Sequence, residues 1–159
     1  MKITILCVGK IKESYLKDGI AEYSKRLSRY CKLEIQEVAD EKTPDRASLN
    51  LENQIKDTEG ARMQRYIPDD AWVIALAIDG KQLDSIALAK EIQQIGVRSI
   101  GHIIFVIGGS LGLSDDILRR ADYRLSFSKM TFPHQLMRMI LLEQIYRSYR
   151  IINHEPYHK

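Results

Sequence analysis

The sequence has few of the residues from which metal and redox sites are built. It contains two cysteines, Cys7 and Cys31, in 159 residues, and neither has the close spacing of metal-binding or redox motifs. The four histidines form no pair with metal-ligand spacing and a carboxylate partner, and no Ser/His/Asp arrangement is present. We therefore expect two buried thiols, no metal site and no hydrolytic catalysis.

Long apolar segments and nucleotide-binding fingerprints are also missing. No stretch approaches the ~18 uninterrupted apolar residues of a membrane span, and MKITILCVGKIK has no small-residue cleavage site, so we expect a cytoplasmic protein. Gly108, Gly109 and Gly112 make a GGxxG turn that lacks both the GxGxxG spacing of dinucleotide sites and the Lys-Ser/Thr of a P-loop. Spacing alone favours a tight strand-to-helix turn over a ligand site.

Positive charge is concentrated at the two ends of the chain. Residues 1–33 carry eight Lys and Arg against three acids, residues 34–113 carry eight against thirteen, and residues 114–159 carry eight against five. If the ends meet in the fold, they form a face that attracts phosphate groups. Ordinary solvated helix faces account for the same distribution equally well.

Apolar strands alternate with amphipathic helices along the chain. The pattern predicts strands at 2–8, 32–38, 72–78, 103–107 and 123–127, and helices at 13–30, 45–66, 83–95 and about 134–151, with Ser114 capping a short helix. We expect Gly60 to interrupt a surface helix, Asp79-Gly80 to form a turn after its strand, and Gly96 to end its helix. The order predicts one α/β domain with a mostly parallel sheet and helices on both faces.

Three loops follow strands of this sheet at the carboxyl ends, where such sheets bind ligands. They come after residues 76–78, after Ile107 and after Phe127. The third alternates polar with apolar side chains: Ser126, Phe127, Ser128, Lys129, Met130, Thr131 and Phe132. Such a loop can hold an adenine ring, or it can begin a capped helix with Thr131 as N-cap. We expect His134 to begin that helix rather than to bind a ligand.

The last helix is apolar around most of its circumference, with Leu136, Met137, Met139, Ile140, Leu141, Leu142, Ile145 and Tyr146. One face can cover the sheet, and the remainder needs another cover. We expect this helix to pack against its copy in a homodimer. The alternative is burial between the sheet and the polar helix at 45–66.

Four stretches together identify a family resemblance. GKIKESYLKDGIAEYSKRLSRY, FVIGGSLGL, LSFSKMTFPHQLMRMILLEQIYRSYRI and the closing PYHK resemble the ribosomal RNA large subunit methyltransferase H family over essentially the whole chain. The resemblance implies a SPOUT-type fold with a trefoil knot in the cofactor-binding part, roughly residues 72–151. It also implies a homodimer and N3-methylation of a pseudouridine in the helix 69 loop of 23S rRNA, on the assembled 70S ribosome.

The resemblance also implies the site residues. The contacts to S-adenosylmethionine fall on Leu76, Gly108 and the run Phe127, Ser128, Lys129, Met130, Thr131 and Phe132. Tyr157 and His158 match active-site residues that arrange the target base across the dimer interface, with His158 as a candidate proton acceptor. Arg138, Arg147, Arg150, Lys159, Lys25 and Arg29 are candidate phosphate contacts. Two alternatives stay open: an RNA-binding module without catalysis, and a SPOUT methylase acting on tRNA.

Overall fold

Five parallel strands form one sheet in the computed structural model, which describes residues 1–159. The strands are β1 (Lys2–Val8), β2 (Lys32–Val38), β3 (Trp72–Gln82), β4 (His102–Ile107) and β5 (Tyr123–Ser126), in the order β2-β1-β4-β3-β5. The helices are α1 (Ser14–Leu27), α2 (Leu49–Gln64), α3 (Ser85–Val97), α4 (Asp115–Arg120) and α5 (His134–Ile152). The predicted α/β class is confirmed.

The helices cover both faces of the sheet because the central strands are apolar on both sides. In β1, Ile3 and Ile5 face the core shared with α1, α3 and α5, whereas Leu6 faces the core shared with α2 and α4. In β4, Phe105 and Val106 divide in the same way, and both are fully buried. Such continuous apolar runs are typical of strands in parallel sheets. The edge strand β2 alternates between exposed and half-buried residues from Lys32 to Ile35, as its sequence predicts, but Gln36 is half-buried as well and Val38 is buried.

Two predictions for the middle of the chain were wrong. Helix α2 is not interrupted at Gly60 and is not a purely surface helix, because Glu59, Gly60 and Met63 are buried. A side chain at Gly60 would collide with the Ser114 side chain, so glycine permits close packing of α2 on α4. In sequence this glycine is indistinguishable from a helix breaker.

Two predicted element ends were also wrong, and the structure excludes Thr131 as a helix cap, which was one of two alternatives for its loop. Strand β3 continues through Asp79-Gly80 to Gln82, and its pairing with β5 shifts register between Leu76 and Lys81. Helix α3 continues past Gly96, and Ser99 takes the left-handed backbone conformation that we expected of the glycine. Thr131 does not cap α5: Pro133 is the N-cap, without a side-chain hydrogen bond.

Helix α5 lies between α1 and α3 on one face of the sheet, and the polar helix α2 lies on the other face. The alternative that we gave for α5, burial against the helix at 45–66, is therefore wrong. Helix α5 is apolar around much of its circumference partly because it packs against α1 and α3. The sequence pattern did not predict these two neighbours. The homodimer stays a prediction. None of the helices combines the length and the apolar character needed to cross a membrane.

Candidate functional site

A cavity of about 650 Å³ lies where the loops after β4 and β5 meet the middle of β3. That volume lies in the range of small-molecule and cofactor sites, roughly 300–1,000 Å³. Its walls come from three segments and the start of α5: Leu76, Ala77, Ile78, Ile107, Gly108, Gly109, Ser110, Leu111, Gly112, Leu125, Ser126, Phe127, Ser128, Met130, Thr131, Phe132, Pro133, His134 and Met137. The three segments selected from the sequence do converge on one site, but residues 76–78 belong to β3 itself and do not form a loop after it.

The glycine turn after β4 forms one wall and needs its glycines for steric reasons. A Cβ at Gly108 would lie 2.6 Å from the backbone carbonyl carbon of Gly112, and Gly112 has a φ of 88°. The Gly112 amide donates to the Gly109 carbonyl at 3.1 Å, which closes the turn. Backbone groups can therefore approach a ligand at this wall without intervening side chains.

The loop after β5 is shaped by hydrogen bonds within it. The Ser126 hydroxyl donates to the Ser128 carbonyl at 3.1 Å, and the Ser128 hydroxyl accepts from the Met130 amide at 3.0 Å. The buried Ser126 therefore fixes the loop, while the exposed side chain of Met130 lies at the rim of the cavity. The wall combines apolar side chains with a few polar groups, which suits a cofactor that contains both.

Two residues of α5 that sequence reasoning did not assign to the site also line the cavity. His134 begins the helix as predicted, but it is a wall residue as well, and Met137 lies one turn further along. Burial, with a contribution from the positive charge of Arg138, lowers the pKa of His134. This favours the neutral imidazole on a wall that faces the ligand. The helical spacing could have indicated that both residues line the cavity, since residues 134 and 137 lie on one face of the helix.

Two residues with predicted roles are placed differently. Lys129 belongs to the loop after β5, but it is exposed and does not line the cavity. Arg138 is only 2% exposed; it bonds the Glu37 carboxylate at 2.6 Å and the Gly9 carbonyl at 3.2 Å. The prediction that Arg138 contacts phosphate is therefore wrong. Arg138 instead ties α5 to the ends of β1 and β2.

The C-terminal tail folds back along α5 and is held by charged partners. The Tyr157 hydroxyl donates to Glu143 at 3.0 Å, and Arg147 bonds the Nδ1 atom of His158 at 3.1 Å. Glu155 accepts from the Tyr30 hydroxyl at 2.8 Å and pairs with Arg150 at 3.0 Å. Tyr157 and His158 are thus together, but neither lines the cavity of their own chain.

Neither cysteine takes part in a disulfide or a metal-binding cluster. Burial raises the pKa of the Cys7 thiol to about 12 and that of Cys31 to about 11, and both thiols are free. The prediction of two buried thiols is confirmed. No group of three or more His, Cys, Asp or Glu side chains is arranged to hold a metal ion.

Comparison with known proteins identifies relatives over the full length of the chain. Proteins named ribosomal RNA large subunit methyltransferase H match all 159 residues and are matched over their whole length: 67% identical in Bifidobacterium adolescentis, 62% in Clostridioides difficile and 59% in Clostridium tetani. A family model described as "Predicted SPOUT methyltransferase" matches residues 1–158. The chain therefore belongs to the SPOUT methyltransferase family.

Proposed function

We propose that this protein is an S-adenosylmethionine-dependent methyltransferase that modifies N3 of a pseudouridine in the helix 69 loop of 23S rRNA, on the assembled 70S ribosome. The observation that carries the proposal is the cavity where the loops after β4 and β5 meet the middle of β3, in a chain of this family. The name shared by its full-length relatives supports ribosomal RNA as the substrate.

The residues that line the cavity fit S-adenosylmethionine. The turn from Gly108 to Gly112 offers backbone donors and acceptors at close range, and Leu76, Phe127 and Phe132 offer apolar surface for the adenine ring. We assign cofactor contacts to Leu76, Gly108, Phe127, Ser128, Met130, Thr131 and Phe132, and for Lys129 only a backbone contact remains. When bound, the cofactor supplies an electrophilic methyl group on a positively charged sulfur.

The protein's own contribution begins with orientation and the exclusion of water, which bring the base nitrogen into line with the methyl carbon. A neutral His134 on the wall would add no positive charge to a cavity that holds a sulfonium cofactor. The phenol of Tyr157 remains protonated, since burial and its bond to Glu143 both raise its pKa. It is therefore a hydroxyl held in a fixed position and not a base.

We infer that the tail of one subunit completes the cavity of its partner. Met137 is the last α5 residue on the cavity wall, and Glu143 and Arg147, which hold the tail, follow it by six and ten residues. At about 1.5 Å per residue they lie roughly 9 and 15 Å further along the helix. A second copy, with α5 in its interface, brings Tyr157 and His158 to a methyl donor that they do not reach in their own chain.

The RNA-binding surface in this proposal combines the outer face of α1 with the tail. Lys25, Arg29 and Lys159 are exposed and free to contact phosphates, whereas Arg147 and Arg150 are engaged in holding the tail. Phosphate contacts give affinity without sequence specificity, so selection of the base falls to the cavity and the tail. We further propose one domain over residues 1–159, knotted within residues 72–151, that acts in the cytoplasm where ribosomes are found.

The proposal is tested by calorimetric titration with S-adenosylmethionine, followed by transfer of labelled methyl groups. Assembled ribosomes, free ribosomal RNA and tRNA are offered in parallel. We expect binding of the cofactor and labelling of assembled ribosomes above the other two substrates. Absence of cofactor binding would favour an RNA-binding module without catalysis, and preferential labelling of tRNA would favour a tRNA methylase.

A further inference from the structure

Glu143, Arg147 and His158 form a chain of hydrogen bonds between α5 and the tail. Arg147 bonds Glu143 through Nη2 at 2.7 Å and through Nε at 3.1 Å, and its Nη1 lies 3.1 Å from Nδ1 of His158. The guanidinium carbon also lies 4.7 Å from the ring centre of Tyr157, which itself bonds Glu143. These contacts fix both the place and the orientation of the imidazole.

The chemistry of arginine determines the direction of the bond to His158. A guanidinium has five N–H donors and no acceptor, so Nη1 donates and Nδ1 must present its lone pair. The hydrogen bonds that Arg147 donates to the Glu143 carboxylate raise the pKa of Arg147, which keeps the guanidinium charged. With Nδ1 occupied as an acceptor, the proton of a neutral imidazole is on Nε2. Neither ring nitrogen then has a free lone pair with which to accept a proton.

We propose that His158 acts as a hydrogen-bond donor to the target base through Nε2–H, not as the proton acceptor, and that Arg147 and Glu143 are the positioning residues that select this tautomer. The inference rests on the proposed function. A pseudouridine ionised at N3 spreads negative charge onto its two flanking carbonyl oxygens. A fixed donor aimed at one of them stabilises the charge as it develops.

With His158 as a donor, every proton and electron pair in the methyl transfer can be followed. The N3 proton leaves to solvent water, and its electron pair stays on N3 and forms the new bond to the methyl carbon. The electron pair of the broken carbon–sulfur bond stays on sulfur, which becomes a neutral thioether. His158 ends the step with the proton it had at the start, so it needs no recycling. The sequence-based role of His158 as proton acceptor is replaced by that of donor.

Two substitutions of His158 separate a donor from a base. Glutamine carries an amide N–H near the position of Nε2–H but has no useful basicity, whereas alanine has neither property. We expect His158→Ala to lower kcat by roughly 10²–10³-fold, as loss of an oxyanion donor does. We expect His158→Gln to retain activity within about tenfold of the wild type. Activity of His158→Gln as low as that of His158→Ala would overturn the donor role.

Replacement of Arg147 tests the positioning role. We expect Arg147→Met to lower kcat by roughly 10–100-fold while the dissociation constant for S-adenosylmethionine is unchanged, because the cavity is not touched. Arg98→Met is the matched control: Arg98 also lies over an aromatic ring, 4.5 Å from Trp72, but beside the amino-terminal ends of the strands. Equal losses in both variants, or an unchanged kcat in Arg147→Met, would contradict the role.

Nitrogen NMR of the imidazole gives a readout that does not depend on activity. In the full-length protein near neutral pH, we expect His158 to show a protonated Nε2 and an unprotonated Nδ1, and Arg147→Met to lose this single tautomer. A protonated Nδ1 in the wild type would overturn the hydrogen-bond assignment. If the wild type did not methylate ribosomes, the proposed function would fall and take the donor role with it, while the tautomer would still test the assignment itself.

Discussion

Gly108 illustrates, at the scale of single residues, how the cavity depends on the absence of a side chain. A methyl group there would press on the backbone of Gly112, because its Cβ would lie 2.6 Å from the Gly112 carbonyl carbon. We expect Gly108→Ala to weaken binding of S-adenosylmethionine by roughly tenfold or more, through strain in the cavity wall. Calorimetric titration measures the effect.

Gly101→Ala is the control for this prediction. Gly101 lies between α3 and β4, has no positive φ, and has no atom within 4 Å of an added Cβ. Its replacement should leave cofactor affinity unchanged. If Gly108→Ala bound the cofactor as tightly as Gly101→Ala, the glycine turn would not be part of the binding site.

His102 makes stability depend on pH near neutrality. Its Nε2 lies 2.8 Å from the Thr4 hydroxyl, and burial, with Lys2 nearby, lowers the pKa of its imidazole. The unfolded chain therefore takes up a proton at a higher pH than the folded chain. As pH falls below the ordinary histidine pKa of about 6.5, the free energy of unfolding should decrease.

The measurement is urea unfolding from about pH 7.5 to 5.5, in the wild type and in His102→Gln, which keeps an amide for the Thr4 hydroxyl. We expect the variant to lose less stability on acidification than the wild type. The pKa of His134 is also lowered, so His134 contributes to the pH dependence of the free energy of unfolding in both proteins. If the free energy of unfolding changed equally with pH in the two proteins, His102 would not contribute to the pH dependence.

At the scale of elements, α2 supports the glycine turn from behind. Its Glu59 lies under Gly109, and Gly60 packs on Ser114, the N-cap of α4, whose hydroxyl accepts from the Ile117 amide at 3.3 Å. We expect Gly60→Ala to destabilise the fold by about 1–3 kcal/mol, because the added methyl collides with the Ser114 side chain. Chemical denaturation measures the change.

A glycine in the last turn of α3 serves as the comparison. At Gly96 an added Cβ would be 3.6 Å from the Met1 side chain, an ordinary contact. Gly96→Ala should therefore leave stability unchanged or raise it by up to about 0.5 kcal/mol, because helix propensity counts for less in the last turn than in the interior. Adding Ser114→Ala to Gly60→Ala should cost less than the sum of the two changes, because one relieves the other. Full additivity would argue against direct contact.

The elements differ in how far their sequences could predict them. Buried strands such as β1 and β4 were predicted nearly to the residue, because short continuous apolar runs rich in Ile and Val are typical of strands buried on both faces. Gly60 and Gly80 were misread because a glycine that allows close packing and a glycine that ends an element look alike in sequence. Gly96 was misplaced by little, because α3 ends at Val97, the next residue. The neighbours of α5 could not be predicted, since strand order determines them and local pattern does not contain it.

Part of the candidate site could also be predicted, because the strands that border it were recognisable in the sequence. The carboxyl-end rule for parallel sheets selected the three segments that line the cavity, two of which are loops, and the family resemblance supplied their assignment to a cofactor. His134 was not assigned to the site because a histidine at the start of a helix needs no ligand to explain its presence. The bond between Arg147 and His158 joins residues of α5 and the tail, and no periodicity reports it.

At the scale of the whole molecule, the central expectation is that a working site needs two chains. A dimer that mixes Gly108→Ala subunits with His158→Ala subunits has one site with both defects and one with neither, if the tail acts on the partner. At a low S-adenosylmethionine concentration, at which Gly108→Ala homodimers bind little cofactor, an equal mixture of the two impaired variants should therefore recover about a quarter of wild-type methyl transfer after subunit exchange. No recovery, with exchange verified, would show that the tail serves its own chain.

The most direct measurement maps the modified base. Ribosomes that lack the modification are incubated with the protein and S-adenosylmethionine with a deuterated methyl group, and fragments of 23S rRNA are analysed by mass spectrometry. We predict one labelled methyl on N3 of a pseudouridine in the helix 69 loop, with His158→Ala strongly reduced. Label on another nucleotide, or none on ribosomes while tRNA is labelled, would contradict the account.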